Sequence, residues 1–209
     1  MKKMDLINEI ESLKKSHIDN VVSRKIQDFK NINKNSNDDL FKELCFCILT
    51  ANFNAEKSIK IQDEIGESFL SDSKEDLANK LKQYGHRFPN TRAEYILDSR
   101  KHKDKLNEII QNHNNNNLRE WFVKNIKGLG FKEASHFLRN IGFDDFAIID
   151  FHIVDILVRH NLIKRPNSLS KKRYLEIESV LEELARKLDL SLAELDLYLW
   201  YLETGKILK

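Results

Sequence analysis

An all-α fold is the architecture this chain of 209 residues predicts, and three observations carry that expectation. Apolar residues recur every three or four positions through most of the sequence, the spacing of one helix face. Two prolines and six glycines leave few places where a helix must break. The one β-like run, FAII at 146–149, is short and isolated, so no sheet is built from it.

Taken in order, Leu6, Ile7, Ile10 and Leu13 form a first helical stripe, and Ile18, Val21, Val22, Ile26 and Phe29 form a second. The polar stretch NINKNSNDD interrupts the pattern. Asp38 or Asp39 then suits the start of a third helix running through Leu49, because a carboxylate satisfies the bare N–H groups of a helix N-terminus. Further helices are predicted at 55–65, 74–82, 92–112, 118–125, 131–140, 151–161, 171–187 and 193–203. The Asn-rich run HNNNN at 113–117 reads as a linker one loop long.

The length allows one unit or two small lobes with a substantial core. An apolar fraction of 41% beside 33% charged residues fits a soluble globular protein, and no apolar run approaches the roughly 20 residues of a spanning helix. A membrane protein is therefore not expected. The opening MKKMDLINEIESLKK carries charges at short intervals and no small-residue cleavage site, so it reads as a helix in a cytoplasmic, intracellular protein. Cys45 and Cys47 stand two apart in an apolar run, a spacing that suits buried thiols better than a metal hook or local disulfide. No four-cysteine cluster exists to hold iron and sulfur, and no metal ligand set is expected. A net charge of +2 is too small to establish nucleic-acid binding, so any attraction must come from local patches. Arg87, Arg92, RKHK and KRPNSLSKKR are candidates for phosphate contact.

Chemistry concentrates in KGLGFKEASHFLRNIGFDDFAIID, residues 127–150. Gly128 and Gly130 can take backbone angles closed to other residues, giving a tight turn with bare amides at the start of the helix 131–140. Such a turn can grip one phosphate without reading sequence. Lys132 falls in the first turn of that helix, and Asp150 stands before the amphipathic HIVDILVRH, where a carboxylate caps a helix. The two suit a lysine nucleophile with a carboxylate partner. An unperturbed lysine is only about 0.04% neutral at pH 7, so such a site must favour the free amine or remove its proton locally.

A hairpin with a lysine two residues past its second glycine and an aspartate 18 residues later resembles the helix-hairpin-helix glycosylase superfamily. The segments KELCFCILTANFNAEKSI, GHRF, KGLGFKEASHFLRN, AIIDFHI and ELDLYLWYLETGKILK are similar to the archaeal-type 8-oxoguanine DNA glycosylases along nearly the whole chain. The resemblance implies a two-lobed, all-α helix-hairpin-helix DNA glycosylase fold without an iron–sulfur cluster. Residues 36–126 would form a central lobe. Residues 1–35 and 127–209 would form a discontinuous second lobe, with the helix-hairpin-helix at 118–140 and DNA in the cleft.

It further implies a bifunctional enzyme of base excision repair that removes 8-oxoguanine and nicks the strand by β-elimination through a lysine Schiff base. Lys132 would be the nucleophile, and Asp150 would stabilise oxocarbenium-like charge on the sugar or relay a proton. Asn52 in LTANFNA matches a polar wedge that fills the hole left by the flipped nucleotide. Phe88 and Trp200 match aromatics that sandwich the base, and the terminal Lys209 matches a lysine that helps recognise it. His152 is expected to be a local hydrogen-bonding residue. Phe151 departs from the polar or small residue that relatives often carry there.

The implied partner is double-stranded DNA containing 8-oxoguanine, met by a nucleoid-associated monomer that needs no organic cofactor. Family hairpins also hold a monovalent cation on their carbonyls. Two rival readings are the same chemistry on another oxidised base, and a noncatalytic DNA-binding helix-hairpin-helix module. The missing cysteine cluster and the C-terminal motif count against the first, and the Lys132 and Asp150 pair counts against the second.

Overall fold

A computed structural model describes residues 2–32 and 36–209, leaving aside the side chains of 2–4, 115 and 116. The described residues form thirteen α-helices and one 3₁₀ segment, with no strand among them. In order the helices are α1 (Lys2–Lys14), α2 (His17–Ile32), α3 (Asn37–Thr50), α4 (Ala55–Ile65), α5 (Ser68–Ser71), α6 (Lys74–Gln83) and α7 (Pro89–Ser99). After the 3₁₀ segment Arg100–Lys105 come α8 (Leu106–Asn112), α9 (Asn115–Asn125), α10 (Phe131–Asn140), α11 (Phe151–Arg159), α12 (Lys171–Leu188) and α13 (Leu192–Thr204). No described helix is long and apolar enough to cross a membrane.

Packing divides the chain into two compact units, 32–141 and 1–31 with 142–209. The sequence reading draws its lines at 35/36 and 126/127 where packing gives 31/32 and 141/142, so the hairpin and α10 are grouped differently in the two schemes. Within the unit 32–141, α3 is the hub: every residue from Phe41 to Ala51 except Lys42 is buried, the pattern of a helix surrounded on all sides. Its one buried carboxylate, Glu43, is satisfied at both oxygens, by Asn140 Nδ2 of α10 at 2.6 Å and Gln62 Nε2 of α4 at 3.3 Å. Cys45 and Cys47 are free and buried in this helix, and burial pushes the Cys45 thiol well up.

In the other unit, the FAII run belongs to no helix and pairs with no strand among the described residues. Side chains of α12 satisfy its backbone instead. Ala147 N donates to Glu178 Oε1 at 3.1 Å, Ile149 N donates to Tyr174 Oη at 3.1 Å, and the same hydroxyl donates to Ala147 O at 2.7 Å. This buried brace delivers the chain to Asp150 in a fixed register.

Several boundaries differ from expectation for identifiable reasons. Ser36, not Asp38 or Asp39, caps α3, its Oγ accepting from Asp39 N at 3.2 Å. The predicted helix 92–112 divides into α7, the 3₁₀ segment and α8. No residue of the middle segment is buried, Ser99 Oγ bonds back to Tyr95 O at 2.7 Å, and Asn37 bridges Asp104 O and Asn107 N at the break. The short α5 escaped sequence reading because its end is capped from a distance, by Arg100 on the carbonyls of Ser68, Phe69 and Asp72. The HNNNN run is mostly helix: Asn114 Oδ1 accepts from Asn117 N at 3.1 Å and opens α9. The helix predicted to end at 161 stops at Arg159, because Asn161 is left-handed with φ 56°. The loop NINKNSNDD lies partly outside the described residues.

Candidate active site

The hairpin ahead of α10 turns as its glycines require. Gly128 has φ 85°, and a Cβ there would lie 2.5 Å from Cδ2 of Tyr95, so the position demands both the left-handed angle and the missing side chain. Gly130 is the N-cap, and Glu133 Oε2 reaches back to accept its N–H at 3.1 Å. Glycine has no side chain to reciprocate, so only this half of a capping box forms. Lys132 follows in the first turn, half-buried, with Nζ 3.8 Å from Glu133 Oε1. One carboxylate thus touches the hairpin amide and lies near the lysine.

Asn52 and Phe88 belong to the same unit as the hairpin. Asn52 is exposed just past the end of α3 in the left-handed region, with φ 57°, and its amide makes no hydrogen bond among the described residues. Capping of the next helix falls to Asn54, whose Oδ1 accepts from Lys57 N at 3.0 Å. Asn52 thus stays exposed, with the cap supplied by its neighbour. Phe88 is half-buried ahead of Pro89, with the Arg87 and Arg92 guanidiniums 5.0 and 5.8 Å from its ring centre.

Arg92 was a candidate for phosphate contact; the structure removes it from that list. Its guanidinium is buried, Nη2 donates to Ala51 O at 2.5 Å, and desolvation lowers its pKa. The RKHK segment is likewise engaged within the protein, through the Arg100 bonds above and through Lys103 on Asp38 at 2.7 Å.

Asp150, Trp200 and Lys209 belong to the unit that contains both termini. Asp150 is the N-cap of α11, Oδ1 accepting from Ile153 N at 3.0 Å, while the second oxygen makes no hydrogen bond among the described residues. His152 was expected to hydrogen-bond locally; its described contacts are instead with rings. It lies 3.9 Å from Phe151 and meets Trp200 edge-on at 5.1 Å and 87°. Trp200 is half-buried on α13, and its indole N–H is buried with no hydrogen-bond partner among the described residues. Lys209 is half-buried, past the left-handed Gly205 that ends α13. Phe151 stands 66% exposed at the start of α11, where a polar residue would have needed no explanation.

Sequence reasoning missed His86, Tyr95 and Glu133. The Glu133 position carried a signal, since a glutamate three residues past an N-cap reaches back to it. No comparable signal marked His86 and Tyr95, whose contacts with Leu49 and Gly128 lie far away in sequence. Among the described residues no group of three or more His, Cys, Asp or Glu is placed to hold a metal.

The family model for 8-oxoguanine DNA glycosylase matches residues 22–190. A Methanocaldococcus jannaschii protein named 8-oxoguanine DNA glycosylase/AP lyase is 52% identical over 208 residues, covering 99% of this chain and 100% of that one. The crystal structure of the Methanocaldococcus jannaschii glycosylase/lyase in complex with 15mer DNA containing 8-oxoguanine superposes with a TM-score of 0.95 at 52% identity, covering 98% of this chain and 99% of that one. The Thermotoga maritima 8-oxoguanine DNA glycosylase gives a TM-score of 0.93 at 43% identity, with 99% of each chain covered. A match of this length, to the family model and to whole relatives alike, places the chain in the helix-hairpin-helix family of 8-oxoguanine DNA glycosylases.

Proposed function

We propose that this protein excises 8-oxoguanine from double-stranded DNA and then cleaves the strand by β-elimination, with Lys132 as the nucleophile and Asp150 as the carboxylate that supports charge on the sugar. The observation that carries the reading is Lys132 in the first turn of α10, two residues past a glycine hairpin, in a chain that matches named glycosylase/lyases end to end.

The neutral Lys132 amine attacks C1′ of the damaged nucleotide, the N-glycosidic bond breaks, and its electron pair leaves with the base, which takes up a proton. The ring then opens: the nitrogen gives up one of its two protons, the C1′–O4′ bond breaks and O4′ takes up a proton, leaving an iminium between Nζ and C1′. Loss of a proton from C2′ expels the 3′ phosphate, and water finally releases the lysine. Glu133 Oε1, 3.8 Å from Nζ, is a carboxylate to which the ammonium proton can pass after a small side-chain movement. The oxygen of Asp150 not used for capping suits stabilisation of positive charge at C1′.

Asn52 fills the vacated space, Phe88 and Trp200 flank the expelled base, and Lys209 helps distinguish it from guanine. The hairpin of Gly128 and Gly130 holds a backbone phosphate, with room in the same reading for a monovalent cation on its carbonyls. The protein acts as a monomer without an organic cofactor, in the cytoplasm where chromosomal DNA is found. A duplex bearing one 8-oxoguanine should release the free base and yield a strand ending in an unsaturated aldehyde, while an undamaged duplex stays whole. An intact lesion strand refutes the reading.

A further inference from the structure

We propose that His86 is a positioning residue that fastens the turn carrying Asn52 to Phe88, so that filling the duplex and capturing the expelled base act as one step. The proposal rests on the functional reading above for the roles of Asn52 and Phe88. Its geometry does not. His86 is 4% exposed and uses both ring nitrogens: Nε2 lies 3.1 Å from Leu49 O near the end of α3, and Phe88 N donates to Nδ1 at 3.1 Å. Since Nδ1 must accept, Nε2 must carry the proton and donate. One neutral tautomer therefore satisfies both bonds. Burial, together with the charge of Arg92, favours that neutral form.

Two further contacts stiffen the connection. Phe53, the residue after Asn52, lays its ring 4.1 Å from the imidazole, and its N–H closes the turn on Thr50 O at 3.2 Å. Arg92 makes a parallel link, holding Ala51 O at 2.5 Å while its guanidinium lies 5.8 Å from the Phe88 ring centre. The residues on either side of Asn52 are thus tied to the backbone and the ring of Phe88. Extracting a nucleotide costs a few kcal/mol of stacking and pairing. A wedge and a pocket wall held at fixed separation meet that cost together, because neither has to be ordered after the other has engaged. An ordinary buried histidine would stabilise the fold without making the two residues depend on each other.

The test is a double-mutant cycle of Asn52→Ala and Phe88→Ala, read as single-turnover excision of 8-oxoguanine from duplex DNA and repeated with His86→Gln. Glutamine keeps a donor for Leu49 O and loses the acceptor for Phe88 N–H. In the native background the combined loss should fall short of the product of the single losses by about fivefold or more. With His86→Gln, duplex excision should drop about tenfold, lyase activity on a preformed abasic strand should drop much less, and the shortfall should shrink to about twofold or less, which the Arg92 link alone can sustain. An undiminished shortfall with His86→Gln overturns the proposal. If that variant does not fold, His86→Asn keeps the acceptor side and releases the other bond. The cycle in the native background needs no change at His86, and independent losses there overturn the proposal on their own. Failure of the unmutated protein to excise 8-oxoguanine would refute the functional reading itself, a result separate from either cycle.

Discussion

At Asp150 one carboxylate oxygen, Oδ1, closes the N-terminus of α11, and the other is the one proposed to support charge on the sugar. An asparagine can keep the cap through its amide oxygen but carries no charge. Asp150→Asn should therefore cost less than about 1 kcal/mol of stability, read by thermal melting. It should slow base removal about 100-fold or more in single-turnover assays. A near-native rate would assign this residue to the cap alone. His86 makes a prediction about pH. Its pKa is held below the ordinary 6.5 chiefly by burial, so the unfolded chain binds this proton more readily than the folded one. The contribution is full above about 6.5 and declines as pH falls below that value, so melting at pH 5 should lie below melting at pH 7. His102, also lowered by burial, acts in the same direction. His86→Gln should flatten the slope, and an unchanged slope would place the loss elsewhere. The places of Lys132 in the first turn after the hairpin and of Asp150 at a helix start were legible in sequence, because each sits against a local signal. His86 and Tyr95 were not singled out, and the burial of Arg92 was not foreseen, because the contacts with Leu49, Gly128 and Ala51 that fix these residues span 37, 33 and 41 positions, and no periodicity reports a contact of that range.

Among the elements, the extended run before α11 is the most informative. It looks like a strand by composition and has no partner strand, and its stability comes from Tyr174 and Glu178 instead. Tyr174→Phe removes the hydroxyl that serves two buried backbone groups at once. That should destabilise the protein by about 2–4 kcal/mol and, by loosening the segment that delivers Asp150, lower base removal with Asp150 itself unchanged. Denaturant melts with excision rates check it; loss of stability with native excision would show that the brace does not position the carboxylate. At the hairpin, Gly128→Ala meets both a left-handed backbone and the Tyr95 ring, at a cost of about 1–3 kcal/mol from the backbone alone. Binding to damaged and undamaged duplexes should weaken to a similar degree, because a phosphate grip reads no sequence. A defect confined to damaged DNA would contradict that assignment. Helix existence was legible almost throughout, since the 3.6-residue stripe needs only local sequence. Helix ends were less so: Ser36, Asn37 and Arg100 decide them through bonds that pattern alone does not reveal.

For the whole molecule, the all-α class followed from periodicity and from the scarcity of proline and glycine, and the helices and absence of a described strand agree. Family membership was legible because motif segments are spread over most of the chain, and relatives cover it from end to end. Burial of Glu43 against Asn140 joins residues 97 positions apart, a contact that no local pattern in the sequence reports. The proposed chemistry requires Lys132 to form a covalent Schiff base with the sugar of the damaged nucleotide. Borohydride trapping of the protein on a duplex containing one 8-oxoguanine, followed by mapping of the cross-linked peptide, tests this. The native protein should give an adduct on Lys132, and Lys132→Gln should give none while still binding the lesion; an adduct on another residue, or undiminished trapping by Lys132→Gln, rules the assignment out.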